Sequence, residues 1–137
     1  MDIFDPQKRS EIMSGIKNRD SKIEIAFRKG LWKKGFRYRK NSKKHFGKPD
    51  LVFSLKRAVI FIDSCFWHSC PVHGSIPKTR TEFWRSKLKK NRDRDVEVNN
   101  HYLSKGWTVI RIWEHDLNKR EFFQKKLIEI SEILGRL

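Results

Sequence analysis

Pro49-Asp-Leu-Val-Phe-Ser-Leu-Lys-Arg-Ala-Val-Ile-Phe-Ile-Asp63 contains two short apolar runs joined by a polar turn. Asp50 to Phe53 and Ala58 to Ile62 are rich in β-branched and aromatic residues and short enough to be buried strands, and Ser54 to Arg57 reads as the turn of a hairpin. Asp50 then opens one strand and Asp63 follows the next. Two carboxylates at adjacent strand ends can converge on one divalent cation, and oxygen ligands suit a hard ion such as Mg²⁺. Just beyond, Cys65-Phe-Trp-His68-Ser-Cys70-Pro-Val-His73 supplies sulfur and imidazole, the ligand types of Zn²⁺.

The flanks complete an α/β pattern. Asp5-Pro6 reads as an N-cap with proline at the first helical position, opening a short helix with Ile12, Met13 and Ile16 on one face. Residues 1–20 thus form a helical arm, broken at Arg19-Asp20-Ser21. Ser21-Lys-Ile-Glu24 has capping-box spacing, and Ile23, Ala26, Phe27 and Leu31 form the stripe of a second helix that Gly35 ends. Phe36-Arg-Tyr38 reads as a strand, and the basic stretch Lys40 to Lys48 as a mobile loop. Cys65 to Pro77 is irregular. Thr81 to Lys105 is a long, highly charged helix stopped by Gly106; Trp107 to Trp113 alternates as a strand. Lys119 to Leu137 closes the chain as a helix with Phe123, Leu127, Ile130 and Leu134 on its stripe. The order α-α-β-β-β-α-β-α predicts one domain over residues 1–137, a central mixed sheet flanked by helices.

Charge narrows the partners. Lys and Arg number 32 against 16 Asp and Glu, a net charge of +16. A phosphate backbone is the matching polyanion, with binding that weakens as salt rises. A basic membrane-surface protein would need a basic amphipathic helix or a lipid signal, and neither is evident. With no signal-peptide h-region and no apolar run of membrane-spanning length, the expectation is a cytoplasmic, nucleoid-associated protein with no membrane partner. Two cysteines in such a reducing compartment are not expected to pair.

The acidic residues form P-D-x12-D. This resembles the PD-(D/E)xK nucleases, except that Cys65 stands where that motif has lysine. His68 has a proton affinity suited to that lysine's work, and it is equally a potential zinc ligand. Glu24 is a third candidate acid, although the third helical position of a capping box accounts for a glutamate without catalysis. Cys65, Cys70 and His73 offer three zinc ligands; tetrahedral zinc wants four, and both His115 and His68 qualify. Phe66 and Trp67 lie among these polar ligands. They fit either wedges that unstack base pairs or a cap on the core beside the metal, and Trp84 falls in the nearby run Thr79-Arg-Thr-Glu-Phe-Trp84. Lys78, Arg80, Arg85, Lys87 and the basic residues that follow offer phosphate contacts or a solvated helix face.

Taken together, Gly47-Lys-Pro-Asp50, Val59-Ile-Phe-Ile-Asp63-Ser-Cys65-Phe-Trp-His68, Pro77-Lys-Thr-Arg-Thr-Glu-Phe-Trp84, Asn91-Arg-Asp-Arg94 and Gly106 through Glu114 resemble the very-short-patch repair (Vsr-type) DNA mismatch endonucleases. The resemblance runs from about Pro6 to Leu117. It implies a restriction-endonuclease-like core and Mg²⁺-dependent nicking of one strand 5′ of the thymine in a T:G mismatch, by a monomer, with mismatch-repair factors as candidate partners. It implies Asp50 as the main Mg²⁺ carboxylate, His68 as the catalytic histidine, and Glu24 as the acid orienting metal-bound water. Asp63 stands where some relatives have histidine. Ile62 stands where some have threonine, and only its backbone oxygen can serve the metal. Zinc would fall to Cys65, Cys70, His73 and His115, and Phe66, Trp67 and Trp84 would intercalate beside the mismatch. Two rivals remain: a restriction- or transposition-type nuclease that cuts matched DNA, and a zinc-containing DNA-binding module without catalysis.

Overall fold

The computed structural model describes residues 21–71 and 75–137. The expected arm over residues 1–20, with Ile12, Met13 and Ile16, lies outside them, as does His73. The described chain runs α1 (Lys22–Lys33), β1 (Arg39–Lys40), β2 (Leu51–Phe53), β3 (Ala58–Asp63), α2 (Thr81–Ser104), β4 (Thr108–Trp113), a 3-10 turn (Glu114–Asp116) and α3 (Arg120–Gly135).

The expected mixed sheet is present, with strand order β1-β2-β3-β4. The β1–β2 and β2–β3 pairs are antiparallel, and β3–β4 is parallel, with Phe61 opposite Arg111 and Asp63 opposite Trp113. The central strand β3 is almost wholly buried because helices cover both of its faces. On one face Ile60, Ile110 and Ile112 pack with Phe27 and Leu31 of α1 and with Leu127, Ile130 and Leu134 of α3. On the other, Val52, Val59 and Phe61 pack with Val98 and Tyr102 of α2. The strand period of two thus sends Phe61, Asp63 and Arg111 to the α2 side.

Local signals account for the helix ends. The Ser21 hydroxyl accepts from the Glu24 amide at 3.2 Å, as its capping-box spacing predicts. α2 ends in a Schellman motif: Trp107 N–H donates to the Tyr102 carbonyl and Gly106 N–H to that of Leu103, with Gly106 at φ +79°. The motif turns the chain directly into β4.

Three expectations need correction. Ala26 is exposed, and its neighbour Arg28 is buried instead, 4.0 Å from Glu24. α1 therefore shows one face to the core and a charged edge to the cleft described below. The first strand is Arg39–Lys40, not Phe36–Tyr38, because pairing begins only where the backbone meets β2. Phe36 and Tyr38 pack on the core, and the Tyr38 hydroxyl donates to the Arg28 carbonyl at 2.8 Å. Finally, the basic loop is pinned to α2. Phe46 lies against His101 at 4.3 Å between ring centroids and under the Arg94 guanidinium, and the Tyr102 hydroxyl donates to the Phe46 carbonyl.

Gly47 is the tightest point of that docking. Its φ is +77°, and a Cβ there would stand 2.6 and 2.8 Å from the Val98 methyls. Gly47→Ala combines a left-handed backbone with overpacking, so it should cost about 2 kcal/mol and lower the melting temperature by several degrees. An unchanged melting curve would mean that the loop is not seated on α2.

Candidate active site

One cleft of about 900 Å³ opens at the β3 end of the sheet, lined among others by Glu24, Asp50, Ile62, Asp63, His68, Asp95 and Arg111. The hairpin is what brings Asp50 beside the end of β3. The Ile62 amide donates to Asp50 Oδ2 at 2.6 Å, which fixes the carboxylate at the strand tip. Burial pushes the Asp50 pKa from 3.8 up to about 7; the Ile62 hydrogen bond opposes this, and the charges of Glu24 and Asp63 add to it. Glu24 and Asp63 thus add to the negative charge around Asp50, which a hard divalent cation would relieve. Asp50, Glu24 and the Ile62 backbone oxygen could hold such an ion.

His68 does not join the cysteines. Its Nδ1 lies 2.6 Å from Asp95 Oδ2, and its Nε2 lies 3.7 Å from Asp63 Oδ1. Burial works to depress the His68 pKa, but the Asp95 hydrogen bond and the charges of Asp63 and Asp95 prevail, and the net shift is upward. Burial also pushes the Asp63 pKa up, against the pull of His68 and Arg111. Arg111 Nη1 donates to both Asp63 oxygens, at 2.9 and 3.1 Å.

Asp95 was missed in the sequence because it lies in a helix that reads as a solvated basic face. A signal was nevertheless there. Trp84, Leu88, Asn91, Asp95, Val98 and Tyr102 recur at helical spacing, and Trp84, Leu88, Val98 and Tyr102 are buried. The two polar positions sit between apolar ones on the same stripe. Asn91 Nδ2 donates to the Trp67 carbonyl at 3.3 Å, and Asp95 meets His68. Arg111 and Glu114 were likewise missed as site residues, because strand and turn positions carry no motif for a partner distant in sequence.

A second centre holds the loop that carries His68. Ligand atoms of Cys65, Cys70 and His115 all lie within 4.8 Å of one another. His115 Nδ1 is 3.4 Å from Cys65 Sγ and 3.5 Å from Cys70 Sγ. Zinc bonds of about 2.3 Å to sulfur and 2.0 Å to nitrogen at tetrahedral angles put S and N about 3.5 Å apart, so the donor set and its spacing fit Zn²⁺. His115 Nε2 lies 3.4 Å from Asp116 Oδ1, an outer carboxylate of the kind that orients a ligating imidazole. The Cys65 amide donates to Glu114 Oε1 at 3.0 Å. Both cysteines are unpaired by disulfide, and burial, reinforced by Cys70 and Glu114, pushes the Cys65 pKa up to about 11. A bound cation would reverse that shift.

Phe66, Trp67 and Trp84 do come together. Their ring centroids are 5.3 to 5.9 Å apart; Trp67 and Trp84 are each 7% exposed, and Phe66 is half-buried. Phe83 joins them 5.2 Å from Trp84, 44% exposed and 4.4 Å from the Arg80 guanidinium. Lys78 and Arg80 are exposed at the start of α2.

Comparison with known proteins bears on this arrangement. The family model described as DNA mismatch endonuclease Vsr matches residues 1–73. The type II nicking enzyme V.NmeAIP of Neisseria meningitidis serogroup A is 43% identical over 92% of this chain and 91% of its own. The type II nicking enzyme V.NaeI of Lentzea aerocolonigenes is 42% identical over 79% of this chain and 68% of its own. DNA mismatch endonuclease Vsr of Escherichia coli K12 is 38% identical over 88% of this chain and 78% of its own.

Proposed function

Because this chain belongs to the Vsr family of DNA endonucleases, we propose that it nicks one strand of duplex DNA 5′ of the thymine in a T:G mismatch. The observation that carries this reading is the convergence, in one cleft, of Asp50, Glu24 and Asp63 with a histidine held by Asp95. The hairpin with an acid at each adjacent end supports a restriction-endonuclease-like core within a single nuclease domain, whose first 20 residues serve as a helical arm.

Mg²⁺ held by Asp50, with Glu24 and the Ile62 carbonyl nearby, would supply charge stabilisation at the scissile phosphate and an acidified water. The protein's own residues do the rest. His68 takes the proton of the attacking water, and Asp95 fixes its ring and favours the charged form that results. Hydrolysis then leaves a 5′-phosphate and a 3′-hydroxyl. Lys78 and Arg80 contact phosphates, and the exposure of both favours that role. Phe66, Trp67 and Trp84 enter the helix at the mismatch, Trp67 and Trp84 turning out of the cluster with Leu88 in which each is 7% exposed. A T:G pair is easier to pry open than a matched one by a few kcal/mol, and this selects the site. Cys65, Cys70, His115 and His73 would hold Zn²⁺, which would tie down the loop that presents His68 and the aromatics. The enzyme acts as a monomer, in the cytoplasm at the nucleoid, with mismatch-repair factors downstream. Among the described residues no helix is long and apolar enough to cross a membrane.

The deciding assay digests labelled T:G and T:A duplexes side by side with Mg²⁺ and with EDTA. Nicking of T:G alone, lost in EDTA, is expected. Equal cutting of both duplexes would make the chain a matched-DNA nicking enzyme, and binding without cutting would make it a binding module.

Asp95→Asn should lower kcat about 10- to 100-fold, a part of the roughly 10²- to 10⁴-fold that a general base contributes, because the base remains but its ring is less firmly held. Removing Asp95 also removes an upward pull on His68. The acid limb of the rate profile, where His68 gains its proton, should therefore move to lower pH. A profile that shifts the other way would take His68 out of the base role.

A further inference from the structure

Arg111 sits where no simple packing need explains it. Its Nη1 donates to both oxygens of Asp63, its Nε donates to Asn99 Oδ1 at 2.7 Å, and its Nη1 lies 3.7 Å from Asp95 Oδ1. The guanidinium carbon lies 4.3 Å from the Phe61 ring centroid. The Asp63 side chain is 6% exposed and that of Arg111 20%. With the two His68 contacts, this makes a closed ring in which acidic and basic side chains alternate: Asp63, Arg111, Asp95, His68 and back to Asp63. The register explains how it forms, since Asp63 and Arg111 lie on one face of adjacent parallel strands, and Asn99 and Asp95 lie one helical turn apart on α2 above them.

We propose that Arg111 is a positioning residue: it holds both Asp63 oxygens, so that Asp63 stays 3.7 Å from His68 Nε2, where its charge favours the imidazolium formed when that nitrogen takes a proton, and stays out of the divalent-cation site at Asp50. This rests on the cleft being a Mg²⁺-dependent nicking centre. Two features support it beyond the contact itself. A carboxylate buried this deeply needs a partner, and a guanidinium anchored at a second point by Asn99 is a fixed one. Asp63 also lines the same cleft as Asp50, one residue after the Ile62 amide that holds the Asp50 carboxylate at 2.6 Å, so without a counter-charge it would be a ready third ligand.

The test is a cycle of Arg111→Met, Arg111→Lys, Asp63→Asn and the Arg111→Met/Asp63→Asn double variant, run well below each melting temperature. Freed of Arg111, Asp63 should turn to the cation, so Mn²⁺ titrated by electron paramagnetic resonance should bind Arg111→Met about 10-fold more tightly than wild type. The double variant and Arg111→Lys should return to within about 3-fold of wild type. In nicking assays Arg111→Met should lose about 10-fold or more in kcat with KM for DNA little changed, and Arg111→Lys should recover most of the loss. If Asp63→Asn alone weakens Mn²⁺ binding about 10-fold, Asp63 is a ligand and the proposal fails. It fails equally if Arg111→Met keeps the wild-type kcat. A wild-type protein that nicks no T:G duplex defeats the nicking reading instead, while the Mn²⁺ cycle still decides what Arg111 does to Asp63.

Discussion

Asp50→Asn is expected to lower the nicking rate by about 10³-fold or more and, in the absence of Mg²⁺, to raise the melting temperature at pH 8. Both effects come from one buried carboxylate. The Asp50 pKa rises from 3.8 to about 7 in the folded chain because burial, Glu24 and Asp63 oppose its charge more than the Ile62 amide favours it. Below about pH 4 the carboxyl is protonated whether folded or not, and its stabilising share is complete. Between about pH 4 and 7 only the unfolded chain ionises, so stability falls as pH rises; above about 7 the loss is constant. At about 1.4 kcal/mol per unit the loss is roughly 2–4 kcal/mol, allowing for partial exposure to solvent. Asparagine carries no such charge, so the two proteins should melt together near pH 4 and diverge by pH 8, and Mg²⁺ should close the gap by stabilising only the wild type. Calorimetry with and without Mg²⁺ reads the first effect and single-turnover nicking the second. Wild-type nicking by Asp50→Asn would end the assignment of Asp50 to the cation, and a variant that melts lower at pH 8 without Mg²⁺ would contradict the charge argument.

Cys65→Ser should produce the other large effect. A serine hydroxyl is a poor Zn²⁺ ligand, and the loop from Ser64 to Pro71 lies outside regular helix or strand. Loss of zinc from about one ion per chain should accompany a fall of about 10 °C or more in melting temperature. Nicking should fall with it, because the same loop carries His68. Elemental analysis and thermal melting check the two together, with chelator-treated wild type as the matched control. If Cys65→Ser melts as wild type does, or if wild-type protein purified without chelator holds no zinc, the cluster of Cys65, Cys70 and His115 is only a pair of buried thiols beside an imidazole.

Much of the site was readable because its parts are local. The Asp50-to-Asp63 hairpin follows from two apolar runs and a turn, and it puts both carboxylates at one sheet end without further information. The Ser21 cap and the stop at Gly106 depend on nearest neighbours in the chain. The misreadings share a cause as well. Phe36-Arg-Tyr38 has strand composition, yet its aromatic rings are used to cover the core, and pairing starts one residue later. Ala26 sits at helical spacing with Phe27 and Leu31, yet the helix is rotated so that Arg28 is buried in its place.

The sequence by itself determined the inventory: a basic chain, a mixed α/β order, acids at strand tips, and a cysteine- and histidine-rich stretch beside them. Those properties rest on residue type and on periods of two and 3.6, which the chain states locally. Only the tertiary structure decided the pairings. His68 had two partners open to it by chemistry. Packing α2 across the sheet brought Asp95, 27 positions away, within 2.6 Å of it, and the 3-10 turn after β4 gave His115 to the cysteines. Arg111 met Asp63 across 48 positions for the same reason. Contacts of that range depend on helix rotation and strand register together, and no single segment of the chain encodes both.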